Sequence, residues 1–473
     1  MDKRNAKIVC TIGPSSTDPK IIRNLIKNGM DVARLNFSHA DHKTHQNSAA
    51  IIRKEAESLK KHVSILQDLQ GIKIRISEIK EGGFYIKTGD KILLYPGQTP
   101  SSREAIYISY PALLKDLKEG DHILIDDGLI QFAVIGKKRN ALVAKVIEGG
   151  FVKSRKGANF PLSKTTLPGF TEKDKKDLEF GLSLGVDYIA ISFVRSANDI
   201  ELVLKWAKQK GFNLPPLIAK IEKPQALKNI EEIMDMVEGI MVARGDLGVE
   251  MQTESVPLIQ KRLIDLANKK GKLVITATQM LESMTNHTRP TRAEASDVAN
   301  AVLDGTDALM LSAETAAGKY PIESVKMMDK IIRYTEKEKA TTQQRISKYE
   351  GTNLFPEAVA KGACEAARSI AAKAIVVFTH SGFAAKLISK LRPTVPTIAF
   401  TPDEKTLGRL PLYWGVTGSL ITLKDTEVLD ADFMAEIERS LTQEFKFKKG
   451  DRIVFVASSP FLGKPNIIRL QQL

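Results

Sequence analysis

Cysteine is nearly missing from this chain: Cys10 and Cys364 are the whole supply. No disulfide framework and no cysteine-based zinc site can be built from two such residues, and each falls in an apolar stretch where a thiol fills core. No uninterrupted apolar run is long enough to cross a bilayer, so no membrane association is expected. The opening MDKRNAKIVCTIG carries charge where a secretory signal would carry apolar residues, so the expected location is the cytoplasm. Also absent is any GxxxxGK[ST] pattern, which excludes a P-loop as the means of holding a nucleotide. No low-complexity tract and no internal repeat stands out beyond an alternation of strand-like and helix-like segments.

What the chain has in excess is positive charge. Its 70 Lys and Arg against 56 Asp and Glu give a formal net charge of +14. The surplus is scattered lysine, with no basic arm or stripe and no base-stacking motif. That favours anionic small substrates over specific nucleic-acid binding.

A chain of 473 residues, 43% of them hydrophobic, can bury two or three compact units. From Lys7 onward β-branched runs alternate with helical patterns: KIVCTIG and a helix from Asp18, DVARLNF and a helix from Ala40, then VSILQDL. The rhythm breaks at Gly71, where turns (EGG, KTGD, KEGD, DDG) separate alternating strands such as DKILLY, DHILID and ALVAKVI. It resumes after Pro168 with VDYIAISF, PPLIAKIE, GIMVARG, KLVITATQ and TDALMLS, each followed by a helical stretch. Three strands before the break and five after it make the eight of a closed (β/α)8 TIM barrel, class α/β. The expected domains are therefore a catalytic barrel over 1–70 and 168–345, an inserted all-β, barrel-like domain over 71–167, and an open α/β domain over 346–473.

Active sites of such barrels sit at the carboxyl ends of the strands. Arg34, Asn36 and Ser38 follow a period of two at the end of strand 2, as do Lys220 and Glu222 at strand 5, and Ser312 and Glu314 at strand 8. Asp68 ends strand 3, Asp246 follows strand 6 and Thr278 ends strand 7. Any one of these could be a satisfied polar cap; six together on one rim point to chemistry. Glu222 and Asp246, with no His or Cys beside them, offer hard oxygen ligands of the kind Mg2+ or Mn2+ prefers. Lys220 is placed to stabilise a transferring phosphoryl group, with Arg34 gripping the same oxygens. A Lys–Glu ion pair in the barrel mouth is the plainer alternative for Lys220. In ARGDLG, Gly245 and Asp246 precede a short helix whose N–H groups would accept a carboxylate. His39, His42 and His45 have metal-like spacing but lie on a Lys/Gln/Asn-rich segment, where solvated histidines are expected.

TIGPSS, RLNFSH, DLQGxKIR, IAKIE, ARGDLGVE, TATQMLESM and RPTRAEASDVANAVLDGTDALMLSAETAAGKYP together closely resemble the pyruvate kinase family over nearly the whole chain. The resemblance implies transfer of the phosphoryl group of phosphoenolpyruvate to ADP, giving ATP and an enolate that is protonated to pyruvate. It implies that Glu222 and Asp246 bind the divalent metal, that Lys220 stabilises the phosphoryl and that Arg34 holds it. Gly245, Asp246 and Thr278 would receive the substrate carboxylate, Arg75 and Lys156 the nucleotide, and Ser312 with Glu314 part of the proton path. The inserted domain would close as a lid that excludes water. A homotetramer is also implied.

Many family members use potassium, held by residues matching Asn36, Ser38, Asp68 and the carbonyl of Leu69. Here Asp68 is followed by Leu69, Gln70, Gly71, Ile72 and Lys73, the pattern that accompanies potassium independence, with the Lys73 ammonium replacing the ion. The chain departs from the family at Ile72 and Leu162, which bear on the lid hinge, and at Ala317, often lysine. In the last domain FTHSGFAAK places Thr379, Ser381 and Gly382 in a turn suited to a phosphorylated effector, or equally to an ordinary capped βα turn. Two rivals remain: a metal-dependent lyase or mutase acting on pyruvate enolates, and a basic RNA-binding protein on an old enzyme fold.

Overall fold

The computed structural model describes residues 4–473 except 81, 162, 164, 165, 167, 340–350, 352, 353, 423–430 and 459–463. Leu162, Leu167 as the end of the inserted domain, and the boundary expected at 345/346 lie outside the described residues.

Eight parallel strands close into a barrel: β1 (Lys7–Ile12), β2 (Val32–Asn36), β3 (Ser64–Asp68), β4 (Tyr188–Ile191), β5 (Leu217–Ile221), β6 (Gly239–Ala243), β7 (Leu273–Ala277) and β8 (Ala308–Leu311). Neighbours pair in chain order, and β8 returns to β1 with Met310 opposite Val9. The strands read as nearly continuous apolar runs because both faces are covered. Val9, Val32, Leu66, Ile218, Met241 and Ile275 fill the interior, while Ile8, Cys10, Ala33, Leu35 and Ile65 pack outward under the helices.

The helices begin where side chains can satisfy their free N–H groups. Asp18 and Asp41 cap Pro19–Asn28 and His42–Ser58, so both helices start one or two residues later than expected. Thr171 with Asp174, and Thr291 with Glu294, form capping boxes. Of the three histidines expected to be solvated, His39 is exposed and His42 half-exposed, but His45 is not. His45 is buried and stacked on Phe37 with centroids 4.1 Å apart, and His42 stacks on Phe180 and bonds to Asp177 at 2.8 Å. Their rings pack against Phe37 and against Phe180 of the helix Glu172–Ser183.

Between β3 and β4 the chain builds a six-stranded sheet and a two-stranded ribbon, Gly83–Ile86 with Gly150–Lys153. Ile92, Leu94, Ile106, Phe132 and Leu142 give this unit its own core. One helical turn, Leu113–Asp116, interrupts the all-β pattern. The last domain stacks four parallel strands, Val416–Leu420, Thr397–Thr401, Ala374–Phe378 and Arg452–Ala457, and ends on an antiparallel edge strand, Ile467–Gln472. The third expected strand, SLITL, starts earlier than its apolar residues suggest, and the edge strand was not foreseen. This domain docks under the barrel floor: Tyr188 donates to the Arg409 carbonyl at 2.8 Å and Lys7 to that of Val416 at 2.7 Å.

Candidate active site

Asp68, at the end of β3, is fully buried and organises the barrel mouth. One carboxylate oxygen takes Arg34 Nε at 2.7 Å, and the other lies 3.3 Å from Lys220 Nζ. Arg34 also donates to Thr11 Oγ1 at 3.0 Å. Lys220 reaches Glu222 Oε1 at 2.9 Å and the Ser192 hydroxyl at 2.7 Å, and that hydroxyl donates to the Leu69 carbonyl at 2.6 Å. Burial alone would depress the Lys220 ammonium, but Asp68 and Glu222 overcome it and hold the group above the ordinary lysine range. Burial likewise opposes the Asp68 charge, yet Lys220 and Arg34 keep its carboxyl below the usual range. Glu222 is pushed up by burial in spite of Lys220, and its Oε2 accepts the Phe193 N–H at 2.6 Å.

The helix after β6, Arg244–Glu250, starts at once, so Gly245 and Asp246 lie within its first turn and not before it. The Gly245 N–H is also not free, because it donates to Thr278 Oγ1 at 2.7 Å. Thr278 has φ of +69°, a left-handed conformation that costs a β-branched residue about 1–3 kcal/mol. Arg244 holds that strained segment, bonding the Thr278 carbonyl at 2.7 Å and Asp297 at 2.6 Å.

A cavity of about 240 Å³ opens between this rim and the inserted domain. Arg34, Asn36, Ser38, Lys73, Ser192, Lys220, Glu222 and Asp246 line it, with Asp127 and Asn159 of the inserted domain. Burial and then Arg75 push the Lys73 ammonium down against the attraction of Asp246, although much of the Lys73 chain is exposed. A larger opening of about 770 Å³ shares Asp127 and Asp246 and runs past Arg244 and Gln260. Arg75 and Lys156 stand outside the smaller cavity, Arg75 on the Arg155 carbonyl at 2.7 Å and Lys156 on Asp126 at 2.8 Å.

Ser312 and Glu314 lie behind this surface. Glu314 is fully buried, pushed up by that burial, and accepts the N–H groups of Leu281 at 3.0 Å and Ser312 at 2.7 Å. The Ser312 hydroxyl is buried with no hydrogen-bond partner among the described residues. In the last domain Thr379 Oγ1 accepts the Gly382 N–H at 3.0 Å, Gly382 has φ of +81°, and Ser381 is exposed.

Thr11, Ser192, Asp127 and Asn159 were missed by sequence reasoning. Thr11 and Ser192 do carry a local signal, as polar residues at the carboxyl ends of the apolar strands β1 and β4.

Among the described residues no group of three or more His, Cys, Asp or Glu is arranged to hold a metal. Glu222 and Asp246 still fit a hard divalent cation with an open shell. The Asp246 carboxylate has no side-chain hydrogen bond or close ion pair among the described residues; it borders the cavity beside Glu222 and interacts with Lys73 and Lys220 only as a charge at longer range. An eight-stranded parallel barrel with a shared Lys–Asp–Arg cluster and two oxygen donors at its mouth has the equipment of a phosphotransferase.

Comparison with known proteins narrows that class. The pyruvate kinase barrel-domain family model matches residues 3–325, and the pyruvate kinase alpha/beta-domain model matches residues 357–471. A pyruvate kinase of Corynebacterium glutamicum is 43% identical over 100% of this chain and 98% of its own length. One of Mycobacterium tuberculosis is 39% identical over 99% and 98%. The crystal structure of a pyruvate kinase from Cryptosporidium parvum superposes with a TM-score of 0.91 at 34% identity, covering 99% of this chain and 96% of that one. The chain belongs to the pyruvate kinase family. Its reaction is transfer of the phosphoryl group of phosphoenolpyruvate to ADP, giving pyruvate and ATP in glycolysis. The family is generally Mg2+-dependent. No helix among the described residues is long and apolar enough to cross a membrane.

Proposed function

We propose that phosphoryl transfer takes place at the cavity above Lys220, with Glu222 and Asp246 holding Mg2+ or Mn2+. When bound, that ion would supply positive charge to substrate oxygens. The Lys220 ammonium, kept protonated by Asp68 and Glu222, stabilises the transferring phosphoryl group, and Arg34, anchored on Asp68 and Thr11, grips it. Gly245, Asp246 and Thr278 receive the substrate carboxylate, the Gly245 N–H leaving the Thr278 hydroxyl for it. Ser312 and Glu314 belong to the proton path to the enolate, where the unpaired Ser312 hydroxyl is the group with hydrogen-bonding capacity to spare. Arg75 and Lys156 contact the nucleotide when the inserted domain closes. Lys73 takes the place of potassium beside Asn36, Ser38, Asp68 and Leu69, so K+ is not required. The enzyme works in the cytoplasm as a homotetramer, and a phosphorylated effector binds at Thr379, Ser381 and Gly382.

The observation that carries this reading is the contact of Lys220 with Asp68, Glu222 and Ser192 directly beneath the cavity. It is tested by following pyruvate formation while phosphoenolpyruvate, ADP and Mg2+ are omitted in turn, for the wild type, Glu222→Gln and Asp246→Asn. All three components should be needed, and each variant should be nearly inactive. Activity in either variant within tenfold of the wild type would place the metal elsewhere.

A further inference from the structure

A side-chain hydrogen bond runs from the inserted domain into the barrel mouth, starting from a residue that also borders the cavity. Asn159, on the two-residue strand Ala158–Asn159, donates from Nδ2 to Glu250 Oε1 at 2.7 Å. Glu250 is buried and ends the seven-residue helix whose first turn carries Asp246. The same Oε1 also takes the ammonium of Lys223, the residue after Glu222. That ammonium lies 5.8 Å from the ring centroid of Phe193, whose N–H binds Glu222 Oε2. The second oxygen, Oε2, is buried with no hydrogen-bond partner among the described residues. One buried carboxylate thus collects a donor from the inserted domain and a donor from the strand-5 end, on the helix that bears Asp246.

A buried, half-satisfied carboxylate depends strongly on each donor it does have, because hydrogen bonds to a charged acceptor are the strong ones and an unmet charge in the interior is costly. Glu250 also restrains a cation one residue from Glu222. A released Lys223 ammonium would be free to pair with Glu222 and compete with a metal for it.

We propose that Asn159 and Glu250 form the latch of the inserted domain. Glu250 is then a positioning residue that transmits docking of that domain to both metal-binding carboxylates, to Glu222 through Lys223 and to Asp246 through the helix. This rests on the reading that Glu222 and Asp246 hold the metal and that the inserted domain closes over it.

The test is an exchange of partners. Asn159→Asp sets two carboxylates against each other, whereas Asn159→Asp with Glu250→Gln restores one amide, one carboxylate and the original charge. Two quantities are measured on the full-length enzyme: kcat/KM for ADP, and Mn2+ affinity without substrates by electron paramagnetic resonance. Asn159→Asp should lower both at least tenfold, and the double variant should recover both to within about threefold of the wild type. Losses that multiply in the double variant, with no recovery, would overturn the latch. Should Asn159→Asp fail to fold, Asn159→Ala removes the donor without adding charge, and unchanged Mn2+ affinity in that variant overturns the latch equally. Glu222→Gln separates the two ideas. If it keeps Mn2+ affinity, the metal reading fails; if it loses affinity while the exchange shows no recovery, the latch alone fails.

Discussion

Lys390 of the last domain and Asp307 of the barrel meet at 2.5 Å across the barrel floor, both buried, and Arg392 approaches the other Asp307 oxygen at 2.8 Å. Two cations share one anion, with Asn268 as a neutral acceptor for both and Lys386 as a further positive neighbour. Burial pushes the Lys390 ammonium down to about 8, while Lys390 and Arg392 hold Asp307 low against its own burial. Between pH 8 and the ordinary lysine value the unfolded chain therefore binds more protons at this position than the folded one. The Lys390 contribution is fully favourable above that ordinary value and is lost as pH falls toward 8, a difference on the order of 3 kcal/mol. Thermal unfolding from pH 7.5 to 10 should show this rise in the wild type relative to Lys390→Met, which lacks the group. Asp307→Asn, leaving two cations without their anion, should cost about 3–5 kcal/mol. Parallel wild-type and Lys390→Met curves would disprove the pH effect.

Lys220→Met should reduce phosphoryl transfer by about 10³-fold, roughly 4 kcal/mol of barrier, while metal-assisted enolisation of pyruvate persists. Solvent-deuterium exchange into pyruvate reads the second half-reaction alone. Exchange that collapses in step with kinase activity would assign Lys220 to proton chemistry.

Much of the fold was legible because parallel strands covered on both faces leave long apolar runs, and because Arg34 and Lys220 sit on true strand residues where the period of two holds. It fails at β8. That strand ends at Leu311 and the helix Ala313–Ala316 follows, so Ser312 and Glu314 do not share a strand face, and Glu314 turns back onto backbone amides. The edge strand IIRLQQ carries three polar residues in six, too weak a pattern to read. Asn159 and Glu250 are distant in sequence and carry no local signal at all.

The wild type should be active without potassium, and Lys73→Glu should create a requirement for it. Initial rates in tetramethylammonium buffer with saturating Mg2+, with and without added K+, measure it. Activation of the wild type by more than about tenfold, ~1.4 kcal/mol, would refute the substitution of ion by ammonium.

Thr278→Ser keeps the hydroxyl that holds Gly245 and removes the branch strained at positive φ. Stability should hold or rise by about 1 kcal/mol, with activity within a few fold of the wild type. Thr278→Ala should lose about a hundredfold in kcat. An alanine variant with wild-type rates would leave the hydroxyl without a role.

A panel of sugar phosphates and nucleoside monophosphates should contain at least one that lowers the KM for phosphoenolpyruvate, and Ser381→Asp should abolish that response by placing a negative charge at the turn. A panel with no effect would mark the turn as an ordinary cap.

The inserted domain lies in the segment between Asp68 and Tyr188, ahead of the helix Glu172–Ser183, yet β3 and β4 are hydrogen-bonded neighbours, with Leu66 opposite Tyr188. Left as loose chain, that segment would be a long loop whose ends must find each other before the two strands can pair. Folded on its own core of Ile92, Leu94, Phe132 and Leu142, it ties its two ends together, the Ala158 N–H donating to the Ile74 carbonyl at 3.0 Å. During synthesis the first three strands emerge early, but the closing pair of β1 and β8 waits for Met310. The inserted domain can therefore mature before the barrel that carries it, and a mutation that unfolds its core should slow assembly of a barrel whose own residues are unchanged.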